Sequence, residues 1–405
     1  MKLFLFQRQS DKLLWCLTTL NLLLSTYAFL ITVNNNTRLW CFSMFITFLL
    51  HLSKEREWHF SYEPFCLFLF LFFLYSALSI FWADNVEYAW QRLKYCVEVF
   101  LGAIIVYSCF RKKNATDLLL KIFIAYSVIG AIVAFIVSGG DFGSDGRIGT
   151  ETVGVNANSL GYTAALGCII VFYYLMEYLS CLRLFSFSVN GFMVFASGSR
   201  ASFLMMLVGC ALVLFFDTIN KNNINHFIKN MLFCLCCGVG LILVLSLPIA
   251  AVTKTRLYEC FGLVSGAHID GSASDRREII RIGLNVFREH PLLGVGLDNA
   301  CTYSYLGRGV ESYMHNNYVE LLASLGSVGF CLYYSSFVYI FFHLVKYFFV
   351  RQREKNRIPV VGLALLFSML LGDMMCVRYF RYEQYFIFAI FFLFVRVTIP
   401  RTASY

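Results

Sequence analysis

Long runs of apolar residues recur from one end of the chain to the other, and this recurrence limits the available folds more than any other feature. A bilayer core about 30 Å thick takes roughly 20 apolar residues to cross as a helix, since every backbone donor and acceptor in lipid must be satisfied within the segment. Twelve such runs fall at about 13–33, 39–53, 65–81, 95–110, 118–138, 160–180, 182–197, 201–216, 231–252, 318–345, 358–377 and 384–400. Those at 39–53, 182–197 and 201–216 are short for a full crossing. The expected fold class is an all-α polytopic membrane protein of about 12 transmembrane helices. With 59% hydrophobic and only 14% charged residues, the chain is no water-soluble globular domain. The net charge of +9 is scattered between apolar runs, so no nucleic-acid partner is expected.

Lys and Arg in the short loops set the orientation. With the N-terminus inside, eighteen of them lie on the cytoplasmic side, among them Lys112, Arg183 and Arg353. Seven lie outside: Arg38, Arg92, Lys94, Arg147, Arg200, Arg378 and Arg381. Both termini are then expected in the cytoplasm and the long segment 253–317 in the periplasm. The chain divides accordingly into an N-terminal transmembrane bundle at 1–252, a large periplasmic loop at 253–317 and C-terminal transmembrane helices at 318–405.

Smaller features fill in the outer face. From Trp82 to Lys94 the pattern reads either as a helix lying in the membrane interface or as a simple connector. The loop 139–158, rich in Gly, Asp, Asn and Ser, predicts irregular backbone outside the bilayer. Most of the fifteen Cys sit in apolar runs as small hydrophobes, and the Cys234, Cys236, Cys237 cluster reads as packing and not as a metal site. Only Cys260 and Cys301 share a polar loop, where geometry decides whether they pair.

No nucleotide-binding, zinc-protease or serine-hydrolase motif is present. The chain offers instead a set of outer cations: Arg147, Arg200, Arg276, Arg277, Arg281, Arg288, His290 and His315. Arg200 stands in the break SGSR between two apolar runs, where it either snorkels to the interface or binds an anion. Residues 275–289 carry helical apolar spacing and end at Pro291, with Arg276 expected in the first turn, where its own helix dipole opposes it. This face is either a solvated surface or an anion contact. His315 opens the span HNNYVELLASLGSVGF, and at 100° per residue Gly326 returns to about the same helical face. Helix packing at that glycine is expected to aim His315, which either caps the span or takes a proton from a hydroxyl.

The string from His315 to Gly329 fits H-[NSQ]-x9-G-x-x-G. With GRIGTETVGVNANSLGY, SGSR and the R-x14-P-L-L-G-x-G of Arg276 to Gly296 in the same order upstream, the chain resembles the bacterial O-antigen ligase and polymerase superfamily over about residues 140–345. Ile280 departs from the pattern, where an aromatic residue is common. The resemblance implies a membrane glycosyltransferase fold of the C type and an inverting, metal-independent enzyme without a cofactor. It implies a donor glycan on undecaprenyl pyrophosphate at the periplasmic face of the inner membrane. It implies a glycan or lipid A core as acceptor, and a flippase and a chain-length regulator as further partners. Carried onto this chain, Arg200 and Arg276 would stabilise the departing pyrophosphate and His315 would activate the acceptor hydroxyl. Arg147, Arg277 and Asn316 would contact substrate. The wording around HNNYVELLASLG leans towards a polymerase, with a ligase as the alternative. Protein-glycosylating relatives are expected to carry a further domain beyond the position of Tyr405. The rival from another class is a transporter, against which stand the lack of an internal repeat and the gathering of ionisable residues at one face.

Overall fold

The computed structural model describes residues 64–110, 115–143, 146–221, 271–309, 312–350 and 358–398, with isolated short pieces elsewhere. Its elements there are helical, without a strand among the described residues. In chain order they are α1 Pro64–Leu78, α2 Val86–Cys109, α3 Ala115–Val137, α4 Ala157–Glu177, α5 Cys181–Ala196, α6 Arg200–Lys221, α7 Gly271–Glu289, α8 Ala300–Arg308, α9 Asn317–Val350, α10 Ile358–Asp373 and α11 Tyr382–Thr398. Among the described residues five helices are long and apolar enough to cross a membrane: Pro64–Trp82, Ala115–Val137, Ala157–Glu177, Arg200–Lys221 and Asn317–Phe349. Their large exposed side chains, such as Ile136, Phe215 and Phe342, suit contact with lipid. The chain is thus a polytopic membrane protein. Most of the runs at 13–33, 39–53 and 231–252 lies outside the described residues, as do the cluster Cys234, Cys236, Cys237, the residue Cys260 and the segment 253–270. The Cys301 thiol donates to the Asp298 carbonyl at 3.0 Å.

The chain forms two compact units. One takes in Asp117–His268 and His343–Gly372. At its centre is α4, whose residues from Ser159 to Leu175 are all buried, with α5 and α6 packed on it. Small residues allow this: a Cβ on Gly161 would overlap the Ser197 hydroxyl. Asn156 caps α4, accepting from Asn158 N at 2.9 Å, and Ser180 caps α5, accepting from Arg183 N at 3.3 Å.

The other unit takes in Met44–Thr116, Ile269–Phe342 and Asp373–Tyr405. Aromatic rings fill its core, with Phe65 4.5 Å from Tyr107 and Phe337 4.8 Å from Phe388 between ring centroids. Here the sequence expectation for 82–94 fails. Ser79–Trp82 is a short 3-10 turn and Ala83 is extended, after which Asn85 caps one continuous helix from Val86 to Cys109. Nothing between Lys94 and Tyr95 breaks a helix, so the polar and apolar parts run together instead of forming an interfacial helix followed by a span. The amphipathic helix α7 is as expected but begins at Gly271. Its Ile279 and Val286 join Val295, Ala300, Met314, Val319 and Ala323 in one buried cluster. The apolar stripe of α7 is therefore spent on packing against α8 and the start of α9, and its arginines are left on the other face.

Candidate active site

Two sequence motifs meet in the second unit. Pro291 ends α7, and Gly294 and Gly296, both in the left-handed region at φ 68° and 99°, fold residues 291–296 into a loop. The loop lies on α9 where that helix is broken at Gly326, whose φ and ψ are 65° and −170°. In an unbroken helix the carbonyls of Ala323 and Ser324 would accept from Ser327 and Val328. They accept instead from Val295 N at 3.1 Å and Gly296 N at 2.8 Å. The amides of Ser327 and Val328 turn to the carbonyls of Pro291 at 2.9 Å and Leu292 at 3.3 Å. A third released acceptor, Leu325 O, takes the Tyr75 hydroxyl at 3.1 Å. The break thus costs little hydrogen bonding, because the loop replaces what the helix gives up.

This corrects the helical-face argument for His315. The residue precedes α9, sits at φ 52°, and is separated from Gly326 by a helix that does not continue regularly through the glycine. What aims His315 is the bend before α9. Glu320, buried, accepts Met314 N at 3.0 Å with one carboxylate oxygen and the Ser324 hydroxyl at 2.9 Å with the other. The imidazole, half-buried, stacks near Tyr313 at 4.1 Å between centroids, and its Nε2 is 3.3 Å from Ser312 Oγ. The Ser312 hydroxyl also reaches the Tyr313 carbonyl at 3.2 Å, and with its hydrogen there its oxygen can accept from the imidazole.

The two asparagines after His315 are structural. Asn316 caps α9, accepting from Tyr318 N at 2.9 Å and Val319 N at 3.1 Å, while its amide donates to Met374 O at 3.1 Å. Asn317 is buried. Its oxygen accepts Arg378 N at 2.7 Å and Tyr379 N at 3.1 Å, and its amide donates to Tyr334 Oη at 3.0 Å and Asp373 Oδ2 at 3.3 Å. Tyr334 also donates to Asp373, at 3.0 Å. Through these bonds the turn between α10 and α11 is held onto the His315 segment, bringing Arg378 and Arg381 with it.

Arg276 stands in the second turn of α7, half-exposed, and Arg277 beside it is exposed. The helix starts a turn earlier than the sequence suggests, so the dipole conflict expected for Arg276 does not arise. Arg276 is close enough for its charge to act on the Tyr313 hydroxyl, as are Arg378 and Arg381; burial pushes that hydroxyl up and the three cations oppose it. Arg92 pairs with Asp298 at 2.8 Å and lies 3.9 Å over the Phe380 ring.

Arg147 and Arg200 belong to the first unit. Arg200 opens α6 after the SGS turn, in which Gly198 has φ 57°. Ile148 N donates to Ala196 O at 2.9 Å, tying the loop that bears Arg147 to the strand of backbone leading into that turn. Each unit therefore gathers its own part of the expected set: Arg147 and Arg200 in one, Arg276, Arg277, Asn316 and His315 in the other.

Residues 185–334 match the family model described as O-antigen ligase. Over that stretch the chain is similar to the O-antigen ligase family. The match includes Arg200, Arg276, Arg277, His315 and Asn316, and it ends at Tyr334. No curated protein matches the chain. Three of the four motifs behind the resemblance, SGSR, the Arg276–Gly296 run and the His315–Gly329 string, lie within this match, which spans less than half of the chain, and GRIGTETVGVNANSLGY lies before it. Arg378, Arg381 and Asp373 lie beyond it and escaped the sequence reading, in which the two arginines counted only towards orientation. Their one sequence signal is charge set between two apolar runs. Asn317 and Glu320 escaped because their partners are far along the chain or across a bend.

Proposed function

We propose that this protein transfers a glycan from a polyprenyl-pyrophosphate-linked donor to a sugar hydroxyl at the periplasmic face of the inner membrane, and that it does so as a polymerase of O-antigen or a related surface polysaccharide. The observation that carries the reading is that the stretch similar to the O-antigen ligase family contains Arg200, Arg276 and His315 together. In this mechanism the acceptor oxygen forms a bond to the anomeric carbon as the bond from that carbon to the pyrophosphate oxygen breaks. The leaving oxygen keeps the electron pair, and the configuration inverts. The acceptor proton passes to a ring nitrogen of His315. Arg200 and Arg276 are assigned to the charge growing on the pyrophosphate, a task that suits planar guanidinium groups, with Arg147 and Arg277 as auxiliary contacts.

A second reading, ligation of the finished glycan to lipid A core, is favoured by the description of the matching family model. Deletion of the gene separates the two. Loss of a polymerase leaves surface glycan with a single repeat unit, whereas loss of a ligase leaves bare core. Purified protein is expected to work in chelator and to lose activity in Arg200→Ala and Arg276→Ala. Strict dependence on added Mg²⁺ or Mn²⁺ would falsify the guanidinium mechanism.

A further inference from the structure

The turn between α10 and α11 contributes chemistry that no motif assigns. Asn317 pins its backbone at Arg378 and Tyr379, Asn316 pins it at Met374, and Arg381 N closes the turn onto Arg378 O at 2.9 Å. The guanidinium of Arg381 lies 5.3 Å over the Phe380 ring. Its Nε is buried and makes no hydrogen bond among the described residues. A buried donor left without a partner is costly, and such groups mark sites completed by a ligand. Tyr313 packs on the His315 ring, and the charges of Arg276, Arg378 and Arg381 all act on its hydroxyl. Two acids belong to this region: the charge of Glu383 acts on Arg381, and Asp373 is engaged by Asn317 and Tyr334.

We propose that Arg378 and Arg381, with Arg276 and the Tyr313 hydroxyl, form an oxyanion cradle beside His315 that binds a phosphate-type group. Resting on the function proposed above, this cradle takes the diphosphate of the lipid-linked donor, and it extends the anion contacts to two arginines outside the family match. Burial presses the Arg381 guanidinium below its ordinary pKa, Glu383 opposes this, and Arg378 and Arg92 add to it. A cation whose charged form is disfavoured in this way gains more from an arriving anion than one already solvated or paired. Tyr313 supplies a neutral donor, and the Asn317 bonds hold the arginines in place before the ligand arrives, so little ordering is left to the binding step.

The test is binding of inorganic pyrophosphate to the purified full-length protein, measured by calorimetry alongside glycosyl transfer from a lipid-linked donor. Arg381→Gln and Arg378→Gln should each weaken pyrophosphate binding about 10- to 100-fold, as loss of a charge-assisted contact does. Arg381→Lys, which keeps the charge, should recover part of it, and Tyr313→Phe should weaken it a few-fold. Arg381→Lys also guards against misfolding, since a variant with the unaltered unfolding temperature and weaker binding reports on the cradle alone. Pyrophosphate binding that is absent in the wild type, or unchanged in Arg378→Gln and in both Arg381 variants, overturns the proposal. So does binding of glucuronate in place of pyrophosphate, which would make the ligand an acidic sugar. A wild-type protein that binds pyrophosphate through these arginines but transfers no glycan leaves the cradle standing and removes the function proposed above.

Discussion

The carbonyl oxygen of Leu292 occupies the space that a side chain on Gly326 would need. The two residues belong to separate motifs of the sequence, PLLGVG and the string that begins at His315. The backbone contact at Gly326 is what joins them. Gly294 faces the same constraint from the other side, since its Cβ would lie 2.5 Å from the Ser324 carbonyl and 2.6 Å from Gly326 N. Each glycine is present because the other segment's backbone is against it.

Gly326→Ala is therefore expected to destabilise the protein strongly. The left-handed conformation alone costs a side chain about 1–2 kcal/mol, and overlap with a backbone carbonyl that cannot rotate away adds to it. Thermal unfolding of the detergent-purified protein checks this, with Gly191→Ala as control, because a Cβ there meets nothing within 4 Å. Equal unfolding temperatures for the two variants would remove the loop-on-helix contact from the argument.

His315→Ala should lower glycosyl transfer by roughly 10²- to 10⁴-fold at normal protein level, the usual cost of a positioned base. Ser312→Ala leaves the imidazole in place but removes its contact with Ser312 Oγ, and should cost about tenfold, in line with one neutral hydrogen bond. Full-length glycan ladders in cells complemented with His315→Ala would reduce the histidine to a structural residue at the mouth of α9.

Asn317→Ala removes four hydrogen bonds at once and leaves Asp373 with fewer donors in a buried place. It should destabilise the protein by about 3 kcal/mol or more, whereas Tyr334→Phe, which removes one donor to Asp373, should cost about 1–2 kcal/mol. A double-mutant cycle between Asn317→Ala and Asp373→Asn reads the coupling directly, and additive effects would mean that the two side chains are not one network.

The excess of basic residues in the inner loops predicts that reporter fusions at Lys112 and Arg353 report the cytoplasm and a fusion at Ser272 the periplasm. A cytoplasmic signal at Ser272 would put α7 and its arginines on the side away from a periplasmic donor.

Much of this protein was determined by its sequence alone. Apolar runs of the right length became helices because lipid leaves the backbone no other partner, so α1, α3, α4, α6 and α9 stand where hydropathy puts them. Local signals worked too: Pro291 ends α7, and the apolar spacing of 275–289 marks the buried stripe through Ile279 and Val286. The four motifs pointed to the family before any coordinate. Tertiary structure decided the rest, because it depends on contacts between segments remote along the chain. A 3.6-residue period carried through Gly326 puts His315 on the wrong path, since only the presence of the 291–296 loop makes a break there affordable. Asn317 looks like any helix-start polar residue until Tyr334, Asp373 and the Arg378 backbone surround it. Arg378 and Arg381 read as two loop cations until that same asparagine pins the backbone of their turn at Arg378 and Tyr379. Periodicity reports which face of an element is apolar, and it carries no record of which distant backbone will come to supply a missing hydrogen bond.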